Sequence, residues 1–145
     1  CLVLVGDGDL EEPIKKKASE LGLSQQVKLL GVRDDISDLI NAMDIFIFPS
    51  IYEGLPFTLI ESQCNGIPAI CSDVITKHVV VTDCLNFLSL DKTDKEWAER
   101  AFELAKGHSA DAWKQVVEAG YDLDLEAEKL KKYYIDCIED SKRIS

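Results

Sequence analysis

Several things are scarce in this sequence, and each scarcity removes a class of function. There are two histidines, His78 and His108, far apart in the chain. The five cysteines (Cys1, Cys64, Cys71, Cys84 and Cys137) never fall in CxxC spacing. Metal-ligand spacing is therefore missing, and no motif gives either histidine a serine, cysteine or metal partner. An odd cysteine count in mostly apolar surroundings points to buried, reduced thiols in a cytosolic protein. Lysine and arginine total 16 against 27 aspartates and glutamates, a formal net charge of −11. No basic stripe exists to neutralise nucleic-acid phosphates. A nucleotide ligand is still possible, because it needs only a local pocket of amides and one or two cations. No apolar run approaches the roughly 20 residues of a membrane span, and there is no signal peptide. An initiator methionine is also missing. The chain opens in mid-strand at Cys1-Leu2-Val3-Leu4-Val5, so it is expected to be cut from a longer protein that holds part of the active site.

What is present is enough for one globular domain with a core. The chain has 145 residues, 46% hydrophobic and 30% charged, which excludes disorder. Residues 1–5 read as a parallel strand covered on both faces. Gly6-Asp7-Gly8-Asp9 is a turn. A helix follows from Glu11 to Leu21, with Pro13 in its first turn and Gly22 past its end. Val27 to Leu30 is the second strand and Gly31 to Asp34 a loop. Ile36, Leu39, Ile40 and Met43 form the stripe of a short helix capped by Asp34 or Asp35. Ile45 to Phe48 is the third strand, Pro56 to Asn65 a helix ending at Gly66, and Pro68 to Cys71 the fourth strand. Val79 to Val81 and Phe87-Leu88 are short apolar pieces.

The last third, residues 94–145, reads as helical. Asp94 caps a helix carrying Trp97, Ala101 and Leu104. A second runs from Ala110 to Ala119 and stops at Gly120. The last covers Asp124 to Ile138, with Leu130, Tyr133, Tyr134, Cys137 and Ile138 on one side. Alternating strands and helices predict an α/β fold with a parallel, Rossmann-like sheet and helices on both faces. Ligands bind such folds at the carboxyl ends of strands. The loops Gly6–Asp9, Gly31–Asp34, Ser50–Leu55 and Ser72–Lys77 qualify.

One of these loops carries the strongest signal. Glu53 and Glu61 stand eight positions apart, with Gly54, Leu55, Pro56 and Phe57 after the first acid and an apolar helical run before the second. A strand stops at Pro49, a loop presents an acid and a glycine, and a helix begins near Pro56. A helix start offers free amides to a phosphate. Pro56 near the first helical position gives up an amide that would be orphaned anyway, and Gly54 lets a ligand approach the backbone. An acid on the helix can accept from two vicinal hydroxyls, as ribose recognition requires. Other signals are weaker. Gly6-Asp7-Gly8 lacks the full dinucleotide fingerprint. Arg33 and Lys77 are cations at strand ends, each a surface residue or a partner for a diphosphate or base. Asp7, Asp9, Asp34, Asp35 and Asp38 read mostly as turn and cap residues.

The tract Phe48-Pro49-Ser50-Ile51-Tyr52-Glu53-Gly54-Leu55-Pro56, followed by Glu61, resembles the C-terminal domain of family 4 glycosyltransferases, retaining enzymes of the two-Rossmann GT-B fold. Val5-Gly6-Asp7-Gly8, Leu30-Gly31, Asn41-Ala42-Met43-Asp44 and Asn65-Gly66-Ile67-Pro68-Ala69-Ile70 are similar to other family segments. Ser72-Asp73-Val74-Ile75-Thr76-Lys77, Phe87-Leu88-Ser89-Leu90 and Trp97-Ala98-Glu99 resemble the capsular and exopolysaccharide biosynthesis type. The likeness covers about residues 2–105. It implies one nucleotide-sugar-binding domain over residues 1–145, truncated at its N-terminus, and a UDP-sugar donor. Glu61 would hold the ribose. Glu53, the expected catalytic residue, would face the donor sugar. The amides of Gly54, Leu55, Pro56 and Phe57 would meet the diphosphate and sugar. Gly6, Gly8 and Arg33 complete the expected donor-binding set, with the Gly31–Arg33 loop against the base.

By the same resemblance no metal or cofactor is needed. The cations that neutralise the leaving diphosphate, and the domain that takes a glycan or lipid-linked acceptor, lie in a preceding part. A cytoplasmic site at the inner membrane face follows from such acceptors. Two rival readings remain: a non-catalytic nucleotide-binding α/β module, and a GT-B-like epimerase of a UDP-sugar, for which His78 is the candidate histidine. The paired-carboxylate logic of glycoside hydrolysis fits the phosphate-ready helix start less well.

Overall fold

A computed structural model describes residues 1–143 and divides the chain into two compact units, Cys1–Leu39 and Ile40–Ser145. In the first unit, β1 (Leu2–Leu4) and β2 (Val27–Leu29) pair in parallel, Leu2 with Val27 and Leu4 with Leu29. The crossover between them is α1 (Glu11–Glu20), with acids in its first turn and Lys17 in its last, both favourable to the helix dipole. Gly22 beyond it has φ of 70°, as expected of a helix stop. The expected covering of β1 on both faces is not found. Leu2 is 48% exposed, and Val5, Leu21 and Leu30 are also exposed. Two strands with one crossover helix have too little apolar surface to cover both faces of the pair.

The second unit holds the larger core. Its sheet has three parallel strands in the order β3 (Phe46–Phe48), β4 (Ala69–Ser72) and β5 (Leu85–Leu88). Every residue of β4 is buried, because β4 is paired on both sides. Short α2 (Ile36–Asn41) precedes β3, so Met43 lies outside it, and Asp35 turns its carboxylate to Arg33 rather than to a helix amide. Next comes α3 (Phe57–Cys64), which buries Leu59, Ile60, Ser62 and Gln63. Leu59 and Ile60 pack with Ala69, Cys71, Ile75, Val79, Leu85 and Val116. Each buried Leu, Ile or Val among them contributes about 1.5–3 kcal/mol by leaving water.

Two short apolar pieces resolve differently. Lys77–Val79 is a 3-10 turn capped by Thr76, whereas Phe87 and Leu88 belong to β5. The C-terminal elements are α4 (Asp94–Leu104), α5 (Ala112–Val116) and α6 (Leu123–Arg143). The cap of α4 is Thr93, not Asp94. Its hydroxyl accepts from the Glu96 amide while the Glu96 side chain accepts from the Thr93 amide, a reciprocal box that Asp94 could not form from inside the helix. The expected helix to Ala119 shortens to α5. A π-helical turn, Val117–Tyr121, follows and includes Gly120 at φ of 88°. The apolar side of α6, with Leu130, Tyr133, Tyr134 and Ile138, is more than half exposed.

Candidate functional site

The site grows out of the end of β3. Pro49 has no amide to donate, so the ladder to β4 stops at Phe48 opposite Cys71. The hydroxyl of Ser72, the last residue of β4 and fully buried, donates instead to the Ser50 carbonyl. Ser50 in turn donates its own hydroxyl to Glu53 Oε1 at 2.9 Å. Glu53 is half-buried. The motif acid is therefore tied, through one serine, to the central strand of the sheet.

The helix start behind Glu53 is open. Pro56 proves to be the N-cap itself, at φ −76° and ψ 99°, with no side-chain cap. This moves it one place from the expected first helical position, since its extended ψ lies outside the helical range. Its carbonyl takes the Leu59 amide at 3.1 Å. Among the described residues, the amides of Phe57 and Thr58 have no partner. Phe57, Thr58 and Glu61 lie on the exposed face of α3, opposite the buried Leu59, Ile60 and Gln63. Spacings of three and four residues put Thr58 and Phe57 beside Glu61 on the helix. Ile51, Tyr52, Leu55 and Phe57 give this loop an exposed apolar rim. A Cβ on Gly54 would meet open space, and its φ is not in the left-handed range. The fold itself does not demand glycine there.

The second unit thus brings together Glu53, Gly54, Leu55, Pro56, Phe57 and Glu61. The first unit gathers the others. The Gly6 amide donates to the Gly31 carbonyl at 2.8 Å, joining the loops after β1 and β2, and Gly6 has φ of 118°, which favours glycine. The Gly8 carbonyl takes the first amide of α1. The Arg33 guanidinium grips Asp35 with two hydrogen bonds of 2.7 and 2.6 Å. That pairing holds Asp35 below the usual carboxylate range and raises Arg33 further. The cation at the β2 end is thus a surface residue engaged in a local ion pair.

Lys77 has a similar fate. Its ammonium stands 3.0 Å from the centroid of the Phe87 ring, a cation–π contact. His78 is exposed, its backbone amide 3.4 Å from Thr76 Oγ1. His108 lines a cleft of about 290 Å³ with Pro68, Cys84, Asn86 and Ser109. Pro68 and Cys84 precede β4 and β5, so the cleft lies at the strands' amino ends, away from Ser50 and Ser72. Among the described residues no three His, Cys, Asp or Glu side chains are grouped to hold a metal.

Two functional neighbours escaped the sequence. Ser50 sits inside the motif but carries no signal for where its hydroxyl points. Gln63 is fully buried on α3. Its Nε2 donates to the Leu59 and Val79 carbonyls, and its Oε1 accepts from the Val81 and Thr82 amides. It pins the motif helix to the segment leading into β5.

Residues 1–122 match the sequence model of the family described as glycosyl transferases group 1. The chain belongs to that family. EpsF of Bacillus subtilis, whose name places it among glycosyltransferases, is 35% identical over 137 residues, covering 92% of this chain and 36% of EpsF. The UDP-Gal:alpha-D-GlcNAc-diphosphoundecaprenol alpha-1,3-galactosyltransferase of Escherichia coli is 27% identical, covering 94% of this chain and 37% of that protein. This glycosyltransferase domain thus spans little more than a third of the length of these curated relatives. Among solved structures, the pneumococcal O-GlcNAc transferase GtfA in complex with UDP and GlcNAc superimposes with a TM-score of 0.66. It shares 18% identity, covering 94% of this chain and 29% of GtfA. At that identity the likeness concerns the fold, which is of the GT-B glycosyltransferase type. No helix among the described residues is long and apolar enough to cross a membrane.

Proposed function

We propose that the chain is the donor-binding half of a retaining glycosyltransferase that takes a UDP-sugar. One observation carries the reading: the uncapped start of α3, with unpaired Phe57 and Thr58 amides, stands between Glu53 and Glu61. Free amides and the positive end of a helix dipole suit a diphosphate. Glu61, one turn further on the same exposed face, accepts hydrogen bonds from the ribose hydroxyls. Glu53, ahead of the helix, faces the donor sugar. Gly54 leaves the backbone open to the ligand, and the rim of Leu55 and Phe57 excludes water. Amides fixed in place before the ligand arrives stabilise the departing diphosphate without reorganising. In the first unit, Gly6, Gly8 and Arg33 remain donor-contact candidates by family resemblance alone, which for Arg33 requires release or sharing of Asp35.

The one relative cited whose name carries UDP-Gal and the fold neighbour with bound UDP favour uridine as the base. The acceptor, a glycan or a lipid-linked sugar, is held by a preceding domain, and the whole protein works in the cytoplasm against the inner membrane face. No metal or other cofactor takes part. The test is a titration of the 145-residue chain with UDP, GDP and ADP, followed by amide NMR. Saturable shifts with UDP, centred on residues 53–61, support the proposal. Shifts centred elsewhere, or absent with all three nucleotides, contradict it. Transfer of sugar by this chain alone would also contradict the assignment of the acceptor site to another domain.

A further inference from the structure

We infer that Ser50 and Ser72 are positioning residues that set the Glu53 carboxylate, and through it the sugar end of the donor site. The inference rests on the reading of Glu53 given above. Glutamate has three rotatable side-chain bonds, and a loop acid left to itself samples many rotamers. Here one carboxylate oxygen is claimed by Ser50 Oγ at 2.9 Å, which leaves Oε2 for a ligand hydroxyl. Ser50 cannot rely on the sheet for its own position. Pro49 interrupts the ladder just before it, and the loop beyond carries exposed Ile51 and Tyr52. The Ser72 hydroxyl replaces the lost ladder bond by holding the Ser50 carbonyl. Ser72 is suited to this task. It is fully buried, ends the central strand and pairs in register with Leu88. The order of a rigid strand is thus passed by two hydroxyls to a carboxylate in a loop, the kind of support that functional groups on loops need.

The experiment uses the 145-residue chain with UDP and UDP-glucose as probes, and reads the side-chain carboxyl ¹³C resonance of Glu53 without ligand. Ser50→Ala is expected to move that resonance and average the Glu53 side-chain couplings, and Ser50→Thr to restore both. Ser72→Ala is expected to give a smaller change in the same direction. The ratio of UDP-glucose to UDP affinity is expected to fall roughly tenfold in Ser50→Ala, as for loss of a charged hydrogen bond, while UDP affinity itself is unchanged. A Glu53 resonance in Ser50→Ala that superimposes on the wild type overturns the inference. So does an unchanged ratio in Ser50→Ala when Glu53→Gln lowers it, and in that case the donor-sugar role of Glu53 stands. If Glu53→Gln leaves the ratio unchanged, the reading of Glu53 itself falls and the positioning role falls with it.

Discussion

Gln63 Nε2 donates to the carbonyl of Val79 at 2.9 Å, from a side chain with no exposure to solvent. The same side chain receives the Val81 and Thr82 amides at 3.0 and 2.9 Å. One residue therefore satisfies three backbone groups of the segment that returns to β5, and it does so from the helix that carries Glu61. Gln63→Leu keeps the volume roughly but leaves those groups buried without partners. An unmet buried group costs about 1–3 kcal/mol, so a loss of ~3 kcal/mol is expected in urea unfolding. A loss below ~1 kcal/mol would mean that water or a shift of the loop replaces the side chain.

Gly66 ends α3 at φ of 68°, and a Cβ there would lie 2.1 Å from the Ser109 carbonyl oxygen. That contact is with backbone, which the Ser109 amide bonded to the Gly66 carbonyl holds close. Gly66→Ala is expected to destabilise the chain by ~3 kcal/mol or more, through left-handed strain and the collision together. The midpoint of denaturation should fall with its slope unchanged. Gly54→Ala, where the added methyl meets open space, should leave stability within ~0.5 kcal/mol and instead weaken UDP-sugar binding.

The start of α4 gives a pH prediction. Lys92, then the amide and hydroxyl of Thr93, hold the Glu96 carboxyl down at about 2 from an ordinary 4.5. A carboxyl depressed on folding adds stability that is complete above pH 4.5 and is lost as pH falls towards 2. Carboxyl ¹³C titration should place Glu96 near 2. Lys92→Met should raise that midpoint more than Thr93→Ala does. The α4 amides should exchange faster as the pH drops through this window, and a Glu96 midpoint above 4 would contradict the capping box.

Cysteine chemistry separates the thiols. Burial pushes Cys71 up to about 11, against a smaller opposing pull from Lys77. Cys71 is fully buried in β4 between Phe48 and Phe87, whereas Cys1 is exposed. Iodoacetamide at pH 7.5 should label Cys1 and spare Cys71 until urea unfolds the chain. Labelling of Cys71 at the rate of Cys1 would show that β4 is not the closed centre of the sheet.

The parts of this molecule legible in sequence are those set by local pattern. The apolar run of β3, the apolar helix that follows Pro56, and the stop at Gly66 all follow from periodicity and backbone chemistry. So did the family resemblance carried by Glu53 and Glu61. The Thr93-x-x-Glu96 box is present in the sequence too, one residue before the cap expected at Asp94. Arg33 lies two residues from Asp35, yet its closure into a pair is a choice among rotamers. The partners of Gln63 outside α3 lie 16 to 19 residues away and the Ser72–Ser50 bond spans 22. Such contacts are products of sheet register, so no local pattern announces them.

The central claim is that the start of α3 and its Glu61 hold a nucleotide-sugar by diphosphate and ribose, with Glu53 ahead of the helix at the sugar. Calorimetric titration of UDP into the wild-type chain and into Glu61→Ala tests it most directly. The account predicts saturable one-to-one binding to the wild type and at least a roughly tenfold weaker affinity in the variant, as for loss of a charged hydrogen bond. Equal affinity in the two proteins would contradict it.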